Sequence, residues 1–253
     1  MFIERSGNGP DLVLIHGWSM NRHVWKCIKP MLENDFTLHC VDLPGHGDSD
    51  WQINGLEMSS VIAEFAAKLP EKCSMIGWSM GGQFAMEFAK HYPERVSKLL
   101  CIAATPKFVA DEKWPTAMPV ETFGAFSEGL AQDPQQLMQS FLKLQARGAE
   151  SSRETIKILR DDVLASKAAH PEALRDGLIC LAEFDGRKLL ADLTVPVSFL
   201  LAEKDNLIPV TLADALIRLN ADIHCQVIEG AGHAPFISHP EQTATLIKSM
   251  LHG

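Results

Sequence analysis

Gly77-Trp78-Ser79-Met80-Gly81 reads G-x-S-x-G. Before it stands Cys73-Ser74-Met75-Ile76, short and apolar enough for a buried strand. After it, the stretch from Gln83 to His91 carries Phe84, Met86, Phe88 and Ala89 among polar residues, the pattern of a helix packed on one face. A serine at such a strand-to-helix turn is held in a strained backbone with its hydroxyl projecting at the sheet edge. The flanking glycines are needed because side chains there would collide with the neighbouring strand and helix. The first N–H groups of the following helix lack intrahelical partners and favour negative charge beside Ser79. The run is a nucleophile elbow.

Outward from the elbow, strand-like and helix-like segments alternate. Residues 12–15, 36–41, 73–76, 99–103, 197–201 and 225–228 read as short buried strands, with amphipathic stretches such as 59–69 and 212–219 between them. That order predicts an α/β fold with a mainly parallel sheet covered by helices. Residues 106–190 break the alternation, showing helical patterns punctuated by Pro115, Pro119, Pro134 and Pro171 and no convincing strand. The expected organisation is therefore an α/β core from 1–105 and 191–253, with 106–190 a helical lid over the carboxyl ends of the strands, where open α/β sheets bind ligands.

Composition narrows the class. A chain of 253 residues, 46% hydrophobic, buries a full core without offering a span long enough for a transmembrane helix. Met1-Phe2-Ile3-Glu4-Arg5 lacks the pattern of a secretory signal. Six scattered cysteines show no C-x-x-C spacing or disulfide framework, as expected for buried thiols in a reducing cytoplasm. A net charge of −9 argues against general nucleic-acid binding.

A serine hydroxyl needs a base to take its proton, and the base needs an orienting carboxylate. In this architecture the chain order is serine, acid, histidine. Asp205 lies in Glu203-Lys204-Asp205-Asn206 after the strand 197–201. His233 lies in Gly230-Ala231-Gly232-His233-Ala234-Pro235 after the strand 225–228. Glu203 is the alternative acid, nearer its strand end. His16 reads as structural, His239 as a surface or capping residue before Pro240, and His224 as remote from the site. No histidine pairing suggests a metal, so none is predicted. Two backbone N–H donors are needed for an oxyanion. Met80 supplies one, and Trp18 in His16-Gly17-Trp18 is the candidate for the other. The Trp18 indole either lines the pocket or only packs.

Leu14-Ile15-His16-Gly17-Trp18, the run from Val41 through Pro44-Gly45-His46-Gly47 to Ser49, and the elbow resemble the α/β-hydrolase family over nearly the whole chain. Three stretches, the elbow among them, resemble, within it, the biotin-pathway carboxylesterases acting on pimeloyl-[acyl-carrier protein] methyl ester. These are Gly77-Trp78-Ser79-Met80-Gly81-Gly82, Phe141-Leu142-Lys143-Leu144-Gln145, and His233-Ala234-Pro235-Phe236-Ile237-Ser238-His239-Pro240. The resemblance implies a triad of Ser79, Asp205 and His233. It also implies substrate contacts from Trp18, Met80, Phe141, Leu142, Lys143, Leu144 and Gln145, with no cofactor.

The implied partner, an acyl-carrier protein, is acidic like this chain overall. Local charge resolves the conflict. Between Gln136 and Arg160, Lys143, Arg147, Arg153, Lys157 and Arg160 stand against only Glu150 and Glu154. On a helix, Arg153, Lys157 and Arg160 share a face. A basic lid steers an acidic partner to the pocket mouth; the alternative is a solvated helix face. Gln136 and Ser140 are neutral where the family pattern leads one to expect further arginines. The same triad also serves a general short-chain carboxylesterase or a carbon–carbon bond hydrolase. A non-catalytic receptor has no need of all three residues, and dehalogenases and epoxide hydrolases of this fold carry aspartate where Ser79 stands. Nothing calls for an obligate apolar interface, so a cytoplasmic monomer is expected, with neither nucleic acid nor membrane as partner.

Overall fold

The computed structural model describes residues 1–164 and 167–252, and the side chains of all of these except 162–164. Seven strands form one sheet: β1 (Phe2–Gly7), β2 (Asp11–Ile15), β3 (Thr37–Asp42), β4 (Cys73–Trp78), β5 (Val96–Ile102), β6 (Val197–Ala202) and β7 (His224–Ile228). Their order across the sheet is β1-β3-β2-β4-β5-β6-β7. Only β1 runs antiparallel, paired with β3 from Phe2 opposite Asp42 to Gly7 opposite Thr37. Leu12, Val13, Leu14 and Ile15 of β2 are all fully buried, as a central parallel strand covered on both faces requires.

The first helices are α1 (Lys29–Leu32), α2 (Met58–Lys68) and α3 (Met80–His91). Then follow α4 (Val120–Gln132), α5 (Pro134–Ala146), α6 (Ser152–Ile158), α7 (Pro171–Glu183) and α8 (Arg187–Asp192). The last are α9 (Leu212–Leu219), α10 (Pro235–Ser238) and α11 (Pro240–His252). In sequence from α2, the helices α3, α8 and α9 pack each on the next, while α1 packs on α11; these two groups flank the sheet.

β1 was not anticipated from sequence. Its polar residues belong to an exposed edge strand, and the central-strand signal of a continuous apolar run is missing there. Strand β5 starts earlier than expected, at Val96, and ends at Ile102 because Ala103 takes a positive φ of 45°. In the segment 106–190, of which 165 and 166 lie outside the described residues, the ordered elements are helical. Its extended contacts are isolated bridges, such as Lys107 with Asp185. The far boundary differs from the expected one: α8 begins at Arg187 and packs on α3, so residues 187–190 lie with the flanking layer.

The two ends of the helical segment are pinned together. Gly186 N–H donates to Pro106 O over 2.7 Å. Arg187 pairs with Asp185 (2.5 Å) and Asp111 (2.9 Å), and Lys107 lies 3.4 Å from Asp185. Hydrogen bonding to Arg187 holds the Asp185 carboxyl down at about 2.

Candidate active site

Ser79 joins β4 to α3 with φ 54° and ψ −122°, a conformation that costs a non-glycine residue on the order of 1–3 kcal/mol. The elbow tolerates no bulk around it. A Cβ on Gly77 would lie 2.5 Å from Gly81 O, and one on Gly81 would lie 2.4 Å from Ile15 O. The turn is held by Ser79 N–H donating to Ile102 O over 3.0 Å.

Ser79 Oγ lies 3.0 Å from His233 Nε2, and His233 Nδ1 lies 2.7 Å from Asp205 Oδ2. The other carboxylate oxygen accepts the N–H groups of Leu207 (2.8 Å) and Ile208 (3.0 Å). A carboxylate only accepts, so Nδ1 of the neutral imidazole carries the proton. Nε2 is then free to accept from the Ser79 hydroxyl. The His233 backbone is fixed on both sides: its N–H donates to Gln145 O (2.9 Å), and its carbonyl accepts from the Trp78 indole (2.8 Å). Glu203 faces elsewhere. Its carboxylate accepts from Gly230 N–H (2.9 Å) and from Lys204 (2.9 Å), which hold it below the usual carboxylate range.

Neither the Trp18 nor the Met80 backbone N–H has a protein acceptor among the described residues. Met80 opens α3, whose first N–H groups point out of the helix. The Trp18 indole lines the chamber above Ser79 and donates to Leu174 O of α7 over 2.8 Å. His16 donates from Nδ1 to Gly17 O and accepts Leu43 N–H at Nε2; burial pushes its imidazole down to about 4, so it stands neutral under the Trp18 loop.

Beside Ser79 lies a narrow, nearly closed apolar chamber with a cavity volume of about 20 Å³, lined by Trp18, Phe108, Met118, Phe123, Phe126, Phe141, Leu178, Leu181 and Leu207. The larger surface grooves elsewhere do not reach Ser79. Of the run Phe141-Leu142-Lys143-Leu144-Gln145, only Phe141 lines the chamber. Its ring meets Trp18 edge-on at 5.0 Å. Leu142 and Gln145 are buried outside the lining, Leu144 is half-buried and Lys143 is exposed. Five consecutive residues of one helix cannot all face one cavity, because each turns about 100° from the last.

Lys143, Arg147, Arg153, Lys157 and Arg160 are all exposed. Of these, Arg153, Lys157 and Arg160 are the three whose spacing places them on one face of a regular α-helix. The α-helix stops at Ile158 and gives way to a π-helical stretch, Leu159–Leu164, so the step from Lys157 to Arg160 crosses a change of helix type. Arg160 also pairs with Asp161 at 2.6 Å, which offsets its charge. His239 accepts Thr243 N–H at the start of α11, and His224 is exposed at the start of β7. Among the described residues, no three histidine, cysteine or acidic side chains are grouped to hold a metal.

The chamber's residues on α4 and α7 were not singled out from sequence. Their signal was present as apolar spacing, Phe123 with Phe126 and Leu178 with Leu181. That pattern alone does not separate a cavity wall from a helix interface.

A sequence profile described as the alpha/beta hydrolase family matches residues 12–246. Among curated proteins, the chain is 40% identical to a pimeloyl-[acyl-carrier protein] methyl ester esterase of Aeromonas hydrophila subsp. hydrophila over 248 residues, 97% of each chain. A protein of the same name from Methylococcus capsulatus is 37% identical over 99% of this chain and 98% of its own. A third, from Nitrosomonas europaea, is 40% identical over 95% of each. Among solved structures, a bromoperoxidase from Bacillus anthracis superposes with a TM-score of 0.90 at 20% identity, covering 99% of this chain and 95% of that one. An esterase from Exiguobacterium antarcticum superposes with 0.88 at 23% identity, covering 100% and 95%. At those identities the structures share the fold.

Proposed function

The chain belongs to the alpha/beta hydrolase family, and from that membership we propose that it is a serine carboxylesterase which hydrolyses pimeloyl-[acyl-carrier protein] methyl ester to pimeloyl-[acyl-carrier protein] and methanol, a step of biotin biosynthesis. The observation that carries the chemistry is the continuous hydrogen-bonded chain from Ser79 through His233 to Asp205, opening on an apolar chamber. The substrate rests on the full-length relatives that bear that name.

Ser79 Oγ attacks the ester carbonyl while His233 Nε2 takes its proton, and Asp205 stabilises the imidazolium that forms. The N–H groups of Met80 and Trp18 receive the oxyanion; losing one such donor costs about a hundred- to a thousand-fold in turnover. Collapse of the tetrahedral intermediate breaks the bond to the methoxy oxygen, which leaves as methanol with the proton from His233. Water, deprotonated by the same imidazole, then attacks the acyl-enzyme. The second collapse frees the carboxylate and returns the hydrogen to Ser79. No cofactor enters.

The methylene chain next to the ester enters the aromatic chamber, whose lining side chains move apart to admit it, and each CH₂ withdrawn from water contributes about 0.8 kcal/mol. The helical segment from 106 to 186 serves as the lid. The exposed Lys143, Arg147, Arg153 and Lys157, with the partly neutralised Arg160, are its docking groups for an acidic carrier protein. The enzyme acts in the cytoplasm as a monomer; none of its described helices is long and apolar enough to cross a membrane.

The test compares turnover of pimeloyl-carrier-protein methyl ester with that of a short p-nitrophenyl ester, at low and high salt, with Ser79→Ala as the control. A preference for the carrier-bound ester that salt abolishes is the expected result. Equal turnover of both, insensitive to salt, would leave a general esterase. Undiminished activity in Ser79→Ala would remove Ser79 from the mechanism.

A further inference from the structure

Helix α7 approaches the oxyanion side of the site through a glycine. A Cβ at Gly177 would lie 2.6 Å from Trp18 Cδ1, 3.0 Å from Trp18 Nε1 and 3.3 Å from Met80 Sδ. The helix backbone therefore sits directly on the side chains of the two residues whose N–H groups serve as oxyanion donors in the reading above, on which this inference rests. One turn earlier, Leu174 O accepts the Trp18 indole N–H over 2.8 Å. Leu174, Gly177, Leu178 and Leu181 follow the three- and four-residue spacing of a single helix face, and the last two line the chamber. One face thus clamps Trp18 and walls the substrate cavity.

We propose that Gly177 is a positioning residue for catalysis. By admitting α7 into contact with Trp18 and Met80, it fixes the loop that aims the Trp18 N–H at the developing oxyanion. Glycine is the poorest ordinary residue for a helix interior, so the position carries a cost that an exposed site would shed by becoming alanine. Trp18 has little room to yield: it is 3% exposed, tethered to Leu174 O, and in edge contact with Phe141. An added methyl group must therefore move α7 or the Trp18 loop. Misplacing a reacting or stabilising group by about 1 Å can cost a hundred-fold in rate. A donor that binds the oxyanion more tightly than the ground-state carbonyl is felt in kcat and hardly in KM.

The fold thereby divides the helical segment by role. Helix α7 belongs to the fixed machinery, tied to Trp18, while α4, which contributes Phe123 and Phe126 to the chamber, carries no such tie to the donors among the described residues.

The test is steady-state hydrolysis of a short p-nitrophenyl ester by wild type, Gly177→Ala, Trp18→Leu and the double variant. Gly124→Ala in α4 is the control, since nothing lies within 4 Å of the added Cβ. Gly177→Ala is expected to lower kcat ten-fold or more with KM within about two-fold. The same change made in Trp18→Leu, where the clashing indole is gone, is expected to alter kcat by less than about two-fold. An unchanged kcat in Gly177→Ala, or an equal loss in both backgrounds, would overturn the proposal. If Gly177→Ala does not fold, Trp18→Phe decides, because it removes the indole donor to Leu174 O without adding bulk. A kcat equal to wild type there would also overturn it. A simple ester is the readout, so failure to hydrolyse the carrier-bound ester would sink the substrate reading and leave this comparison intact.

Discussion

The backbone N–H of His233 donates to the carbonyl oxygen of Gln145, 2.9 Å away, so the imidazole facing Ser79 hangs from the last turn of α5. Carbonyls there have no partner within their own helix and need one from outside. Asn206, next to Asp205, makes a parallel tie: its side chain donates to Arg147 O over 2.7 Å. The end of α5 thus grips the loops of both the base and the acid. Its partial negative charge favours the imidazolium that forms when Ser79 loses its proton.

That grip predicts the outcome of Gly232→Ala. An added Cβ would lie 2.8 Å from Gln145 O and 3.3 Å from Ala149 Cβ, wedging α5 away from the His233 loop. We expect kcat on a simple ester to fall about ten-fold, because the Nε2-to-Oγ alignment depends on this contact. Steady-state kinetics decides: an unchanged kcat would mean that α5 yields without moving His233.

The choice of acid gives a second prediction. Asp205 Oδ2 meets His233 Nδ1 at 2.7 Å, whereas Glu203 is occupied by Gly230 N–H and Lys204. Asp205→Asn keeps the shape but presents an amide donor or a weaker acceptor to Nδ1, which upsets the tautomer; a loss of roughly 10³- to 10⁴-fold in kcat is expected. Glu203→Gln retains an acceptor for Gly230 N–H and is expected to stay within about three-fold of wild type. Reversal of that ranking would exchange the acid.

The elbow supplies a third. Ser79 holds φ 54°. Glycine adopts such a backbone freely, so Ser79→Gly relieves strain that Ser79→Ala retains. Relief of about 1 kcal/mol raises Tm by roughly 2–4 °C in a chain of this size. Calorimetry of the two inactive variants side by side checks this, and equal melting temperatures would mean the turn is unstrained.

Much of this arrangement was legible in the sequence because it is written locally. Gly77 and Gly81 announce close backbone approach, and the apolar runs at Leu12 and Met75 announce strands buried on both faces. Asp205 and His233 follow their strands in the order the fold demands. What escaped was carried by contacts distant in sequence. The β1 edge strand exists through its pairing with β3, and its polar run Glu4-Arg5-Ser6 gives no sign of that partner. Gly177 reads as a weak spot in a helix until Trp18, far away in the chain, is seen against it. The contiguous run from Phe141 to Gln145 misled for a geometric reason: helical rotation gives the chamber Phe141 and gives solvent Lys143.

The last prediction concerns acid. His16 and His46 are fully buried with ring centroids 5.2 Å apart, and burial pushes them down to about 4 and about 3. Both are neutral in the fold at physiological pH. As pH falls, the unfolded chain, with ordinary values near 6.5, takes up protons before the folded protein does. The stability these residues leave intact is therefore full above about pH 6.5 and drains away from there down to about 4 for His16 and about 3 for His46. Each histidine adds a slope of roughly 1.4 kcal/mol per pH unit where only the unfolded state is protonated. His46 is the informative one to replace. Its Nδ1 hydrogen-bonds Pro44 O at 3.0 Å, while its Nε2 is buried with no partner among the described residues. His46→Leu is expected to flatten the fall of the urea-unfolding free energy between pH 6.5 and 4 by about one proton's worth, whatever it costs at neutral pH. Parallel pH profiles for the variant and wild type would show that His46 does not titrate on unfolding, and acid lability would then fall to His16 and the carboxylates.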